Sequence, residues 1–128
     1  MPKPSGELGP LERTVMDRLW DRADEVTVRS LIDSPGIRGL AYTTVMTVLD
    51  RLHQKGFVTR RRVGRAYSYR PRRTREEYLS GLVGQVFAAS DDRRSVLLGF
   101  VRKIDEADLV ELRKMIRDIE RERSKRRP

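Results

Sequence analysis

Residues 41–71, AYTTVMTVLDRLHQKGFVTRRRVGRAYSYRP, decide how the rest of the chain is read. Val45, Val48, Leu49 and Leu52 recur at steps of three and four, so at ~100° per residue they share one face of a helix. Thr43, Thr47, Asp50 and Gln54 lie opposite, with Thr44, Met46 and Arg51 on the flanks. Short hydroxyl side chains at the front of a helix can donate to phosphates or base edges, and they leave room for a close approach to the major groove. Lys55 and Gly56 predict the helix stop, a cation in the last turn followed by a residue free to take positive φ. Phe57–Val63 and Ala66–Arg70 then read as two strands joined by a two-residue type II′ turn at Gly64-Arg65, with Tyr67 and Tyr69 on one face and Pro71 ending the pairing. From Arg51 to Arg75 there are ten Lys or Arg residues and no Asp or Glu. A solvated basic face on an ordinary α+β domain would explain the arginines alone. A polar helix front, a glycine stop and an arginine hairpin together predict a winged helix-turn-helix that binds double-stranded DNA, helix in the major groove and wing along the backbone.

The charge of the whole chain agrees with that division. Residues 1–75 hold 16 basic and 8 acidic side chains, a balance of +8, whereas residues 76–128 hold 12 and 11, a balance of +1. The first part is therefore the polyanion-facing one. With 128 residues the chain can bury only a modest core, without the depth of a large enzyme pocket. Zero cysteines exclude disulfides and thiolate metal sites and fit a reducing cytoplasm. No apolar run approaches a membrane span, and Met1–Gly6 lacks the apolar core of a signal peptide, so a cytoplasmic protein with a loose N-terminal tail is expected.

Before the recognition helix, Pro10 suits a first helical position, and Leu8, Leu11, Val15 and Leu19, widened by Met16 and Trp20, form a core stripe. Thr27 can cap a short second helix carrying Val28, Leu31 and Ile32 and stopping at Ser34-Pro35-Gly36. After the wing, Thr74 and Glu77 form a capping box that marks a new helix and a domain boundary. The expected domains are 1–73, the winged helix-turn-helix, and 74–128, a three-helix dimerisation domain, giving a mainly α fold with a small β-hairpin wing. The first tail helix carries Leu79, Leu82, Val83, Val86 and Phe87. A second, opened by Ser90-Asp91-Asp92, carries Leu97, Phe100 and Val101. A third opens at Asp105 with Leu109, Leu112, Ile116 and Ile119 stepping by three, four and three, and its arginine-rich end from Arg121 is expected to fray. So much apolar surface on thin layers predicts a two-fold homodimer and hence a palindromic DNA site.

His53 is the only histidine, so no Ser-His-Asp or Cys-His arrangement and no histidine metal cluster can form within one chain. No phosphate-cradling glycine loop occurs either. A non-enzyme without cofactor or metal is expected. A winged-helix module for protein interaction or structure, without sequence-specific DNA binding, is the alternative; a metal- or redox-sensing regulator fits poorly with one histidine and no cysteine.

The chain resembles the BlaI/MecI penicillinase-repressor family through Leu8-x-x-Leu11-Glu12, Val15-Met16, Leu19-Trp20, the run Tyr42 to Leu52, Lys55-Gly56 and Gly64-Arg65-Ala66-Tyr67-Ser68-Tyr69. The resemblance implies a homodimeric repressor of β-lactamase-type resistance genes on dyad operators with TACA/TGTA-type half-sites. It implies Thr43, Thr44, Met46, Thr47 and Arg51 facing bases, and Arg60, Arg61, Arg62, Arg65 and Tyr67 on the wing and backbone. It further implies release when a β-lactam-sensing membrane protease system triggers cleavage in the dimerisation domain. The matching bond is Gly99-Phe100, which keeps the family's phenylalanine but not its asparagine.

Overall fold

The computed structural model describes residues 8–126; the expected N-terminal tail, Met1–Gly6, lies outside them. Six helices and three strands follow in the order α1 (Pro10–Trp20), β1 (Val26–Thr27), α2 (Val28–Leu31), α3 (Tyr42–Gln54), β2 (Val58–Val63), β3 (Ala66–Pro71), α4 (Arg75–Ala88), α5 (Arg93–Lys103) and α6 (Glu106–Arg126). The fold is mostly helical with a small antiparallel sheet of order β1-β3-β2. The chain divides into two compact units, one reaching Leu82 and one beginning at Val83.

The first unit is built on the predicted stripes. Val15, Met16 and Leu19 of α1 and Val45, Leu49 and Leu52 of α3 are buried with Leu31, Ile37, Phe57, Val58 and Tyr69. Pro10 occupies the first turn of α1, and the Glu12 carboxylate accepts from the Gly9 amide at 2.8 Å. Thr27 caps α2 by accepting from the Ser30 amide, but α2 ends at Leu31, earlier than the expected stop, and turns carry the chain from there to α3. The stop of α3 is a complete Schellman motif. The Phe57 amide donates to the Leu52 carbonyl at 2.9 Å and the Gly56 amide to His53 at 3.1 Å, with Gly56 at φ +85°.

The sheet has one strand more than the hairpin reading allowed. Val26 and Thr27 pair with Tyr69 and Ser68, so β3 lies between β1 and β2. Two residues are too few to show alternation, and β1 exists because β3 offers an open edge. The hairpin register is as expected, Val63 opposite Ala66 and Arg60 opposite Tyr69. Gly64 has φ +63° and no residue other than glycine takes positive φ among those described, the pattern of a II′ turn.

The Thr74 hydroxyl accepts from the Glu77 amide at 3.0 Å, as the capping box requires, but Glu77 returns to that hydroxyl rather than to the backbone. The start of α4 belongs to the first unit through Tyr78, which packs on Trp20 and Phe57 and whose hydroxyl accepts from the Leu8 amide. Trp20 joins the core edge and donates to the Arg73 carbonyl at 2.9 Å. In the second unit Asp92 and Asp105 cap α5 and α6 by accepting from the Ser95 and Asp108 amides. The expected fraying from Arg121 is absent, since α6 is helical through Arg126. Arg, Lys and Glu are good helix formers, Arg121 pairs with Asp118, and cations in a last turn favour the helix dipole. No helix among the described residues is long and apolar enough to cross a membrane.

Glu12 carries a pH prediction. Burial pushes its carboxyl up, but the Lys55 hydrogen bond at 2.8 Å, the Gly9 amide and the charges of Lys55 and Arg51 outweigh that and hold it below its ordinary 4.5. A depressed carboxyl contributes stability that is complete above about pH 4.5 and is lost as pH falls through its lower folded value. Glu12→Gln should cost about 1.5–3 kcal/mol at pH 7, the range for a hydrogen bond to a charged group. Its unfolding free energy should also change less between pH 7 and pH 3 than that of the parent protein. Parallel pH curves for the two proteins in urea titrations would remove Glu12 from the account.

Candidate nucleic-acid interface

On α3, alternation with the buried stripe leaves Thr43, Thr44, Met46, Thr47 and Arg51 exposed. Thr47 Oγ1 donates to the Thr43 carbonyl at 2.9 Å, so its hydroxyl offers a partner only lone pairs, together with its methyl group. Ala41 is the N-cap and supplies no side-chain acceptor, which leaves the first amides of α3 open to an anion. His53 is half-buried beside the core edge.

The wing arginines divide into two kinds. Alternation along β2 puts Arg60 on the face of Val58, opposite the buried Tyr69, where its guanidinium stacks 4.3 Å from the Tyr67 ring centroid. Its Nη1 donates to Asp50 Oδ1 at 2.8 Å. Burial pushes the Arg60 guanidinium down, but the Tyr69 hydroxyl and the Asp50 carboxylate more than restore it, so it stays charged. Arg61, on the other face, donates through Nε to both oxygens of Glu25 at 2.7 and 2.8 Å, and that bond holds the Glu25 carboxyl below the usual carboxylate value. Arg62 sits 5.6 Å from the Tyr67 ring, and neither it nor Arg65 forms an ion pair among the described residues. Both are exposed.

The two ion pairs were not legible in the sequence. The one available signal is that Asp50 is the only acid between Asp33 and Glu76, in the most basic part of the chain. Among the described residues no cluster of three or more His, Cys, Asp or Glu is arranged to hold a metal.

Leu79, Val83, Val86, Leu97, Phe100, Ile116 and Ile119 are exposed and Leu82, Phe87, Val101, Leu109 and Leu112 half-buried; no described residue of α4, α5 or α6 is fully buried. Gly99 and Phe100 lie within α5, Phe100 exposed.

A family model described as penicillinase repressor matches residues 8–118. The transcriptional regulator BlaI of Mycobacterium tuberculosis, from strain CDC 1551 / Oshkosh and from strain ATCC 25618 / H37Rv, is 42% identical over 127 residues, covering 94% of this chain and 91% of the relative. The crystal structure of M. tuberculosis Rv0081 is 25% identical, with a TM-score of 0.47 over 62% of this chain and 76% of that one.

Proposed function

Because this chain belongs to the penicillinase repressor family, a family of transcriptional regulators rather than enzymes, we propose that it is a homodimeric repressor that reads a palindromic operator of the TACA/TGTA type. The observation that carries this reading is the exposed row Thr43, Thr44, Met46, Thr47 and Arg51 on α3, beside a wing whose Arg62 and Arg65 are free of carboxylate partners among the described residues. The row meets base edges; Arg62, Arg65 and Tyr67 hold the backbone. Arg60, confined beside Tyr67, is engaged by Asp50, whereas Arg61 pairs with Glu25 through Nε alone and keeps its Nη groups exposed for a phosphate.

Dimerisation is supported by the tail helices, whose apolar residues find no complete burial in one chain. Residues 1–73 are the DNA-binding domain and residues 74–128 the dimerisation domain in this reading. The exposed residues of α4 to α6 bury against a second copy, and two-fold symmetry sets two α3 helices on two half-sites. Release follows from cleavage of the dimerisation domain, at Gly99-Phe100 in answer to a β-lactam. That bond lies inside α5, so a protease needs local unwinding, which a mid-helix glycine eases by about 1 kcal/mol. The protein acts in the cytoplasm, on the genes of β-lactam resistance.

Salt dependence tests the DNA-binding part. Phosphate contacts release counterions, so affinity for duplex should fall steeply with ionic strength, whereas an apolar docking surface would barely respond. Arg65→Ala should weaken binding to every duplex and reduce the log–log salt slope by about 0.9 for each phosphate that the wing no longer neutralises. Unchanged affinity in fluorescence anisotropy on all duplexes would take the wing tip out of the interface.

A further inference from the structure

Asp50 stands on the side of α3 that carries Thr43 and Thr47, one carboxylate in the middle of a surface built to meet a polyanion. Left unpaired it would repel phosphate. Its partner Arg60 comes from β2, so the 2.8 Å bond joins the recognition helix to the wing. Arg60 is itself confined. Its side chain is 25% exposed against 51% for Asp50, it stacks on Tyr67, and it lies opposite the buried Tyr69.

Resting on the DNA-binding reading above, we infer that Asp50 is a specificity-determining positioning residue: it holds Arg60 off the phosphates and fixes the wing to α3. A free guanidinium in the wing would add a backbone contact to any duplex, strengthening binding without regard to sequence. Held by Asp50, it adds no such contact and sets where the wing stands relative to the base-facing row. The phosphate contact alone would add to right and wrong DNA alike, so discrimination comes from the fixed wing. Without it the base-facing row loses its placement on the right sequence while the wrong one only gains affinity. Arg61 on the opposite face of β2 is not held in this way, being 67% exposed and bonded to Glu25 through Nε alone, so it joins Arg62 and Arg65 as a phosphate contact.

The test uses the full chain and two duplexes, one selected from a random pool by the wild-type protein and one of the same composition with its order scrambled. Asp50→Asn keeps the shape and removes the charge. Its affinity for the scrambled duplex should rise about three- to tenfold at 0.1 M salt, with a salt slope steeper by about 0.9 per protomer as Arg60 gains a phosphate. The ratio of selected to scrambled affinity should fall about tenfold, the scale of one good base contact. Combining Asp50→Asn with Arg60→Ala should abolish both the gain and the added slope, since nothing is left to release. A gain that persists in the double variant would mean that simple repulsion by the carboxylate is the cause and would overturn the inference. So would an unchanged affinity ratio in Asp50→Asn, while leaving the DNA-binding reading intact. A wild-type protein that selects no duplex removes that reading and this one together.

Discussion

Leu112→Asp combined with Ile116→Asp should convert the protein to a monomer in sedimentation and lower its affinity for a two-half-site duplex by about 10²–10⁴-fold. Both residues lie on the seam of α6, Leu112 half-buried and Ile116 48% exposed, where a second copy is proposed to pack. A carboxylate on each would be buried in the interface without a partner, and dissociation avoids that cost. The drop in DNA binding follows from linkage: in the dimer the second half-site is met at high effective concentration, and a monomer has only the first. Each α3 should remain folded, so weak, salt-sensitive binding to single half-sites should persist. A variant that sediments as a dimer would place the interface elsewhere on the tail.

Leu52→Ala should lower the unfolding free energy by about 2–5 kcal/mol, read from urea titration. Set against a total of about 5–15 kcal/mol, such a loss removes a large share of the protein's stability. Leu52 is fully buried and its carbonyl accepts the amide of Phe57, which is buried beside it. Hydrophobic contact between these two positions usually accompanies a Schellman stop, so the truncation loosens the corner between α3 and β2 as well as the core. Operator discrimination should therefore fall even where the variant is folded. A loss under about 1 kcal/mol would mean that neighbouring side chains collapse into the space.

Local chemistry made much of this fold readable. Pro10, Thr27, Thr74, Asp92 and Asp105 each mark a helix start found in the structure, because a cap acts over three residues and leaves its signature in the chain. The stripe of α3 and the Gly64-Arg65 turn were readable for the same reason, and that turn fixes which residues of β2 and β3 face each other. Features that depend on distant partners were not readable. Strand β1 is made by the edge of β3, some forty residues on. Arg60 and Arg61 look alike as neighbours in a basic run, yet the pleat sends them to opposite faces and different carboxylates. The end of α6 is misread when its positive charges are weighed without the acids that alternate with them.

Three residues separate the last helical position of α3, Gln54, from the first strand position of β2, Val58, and each has an assigned task. Lys55 ends the helix and reaches Glu12, Gly56 reverses the chain, and Phe57 closes the turn into the core. An inserted residue here would pass into the strand as a shift of one, carrying Arg60 to the face of Arg61 and Val58 outward. Insertions and deletions are thus barred from this junction, whereas the segment from Ile32 to Ala41 bears no such parity constraint. Change in length, whether by evolution or by design, belongs before α3 and not after it.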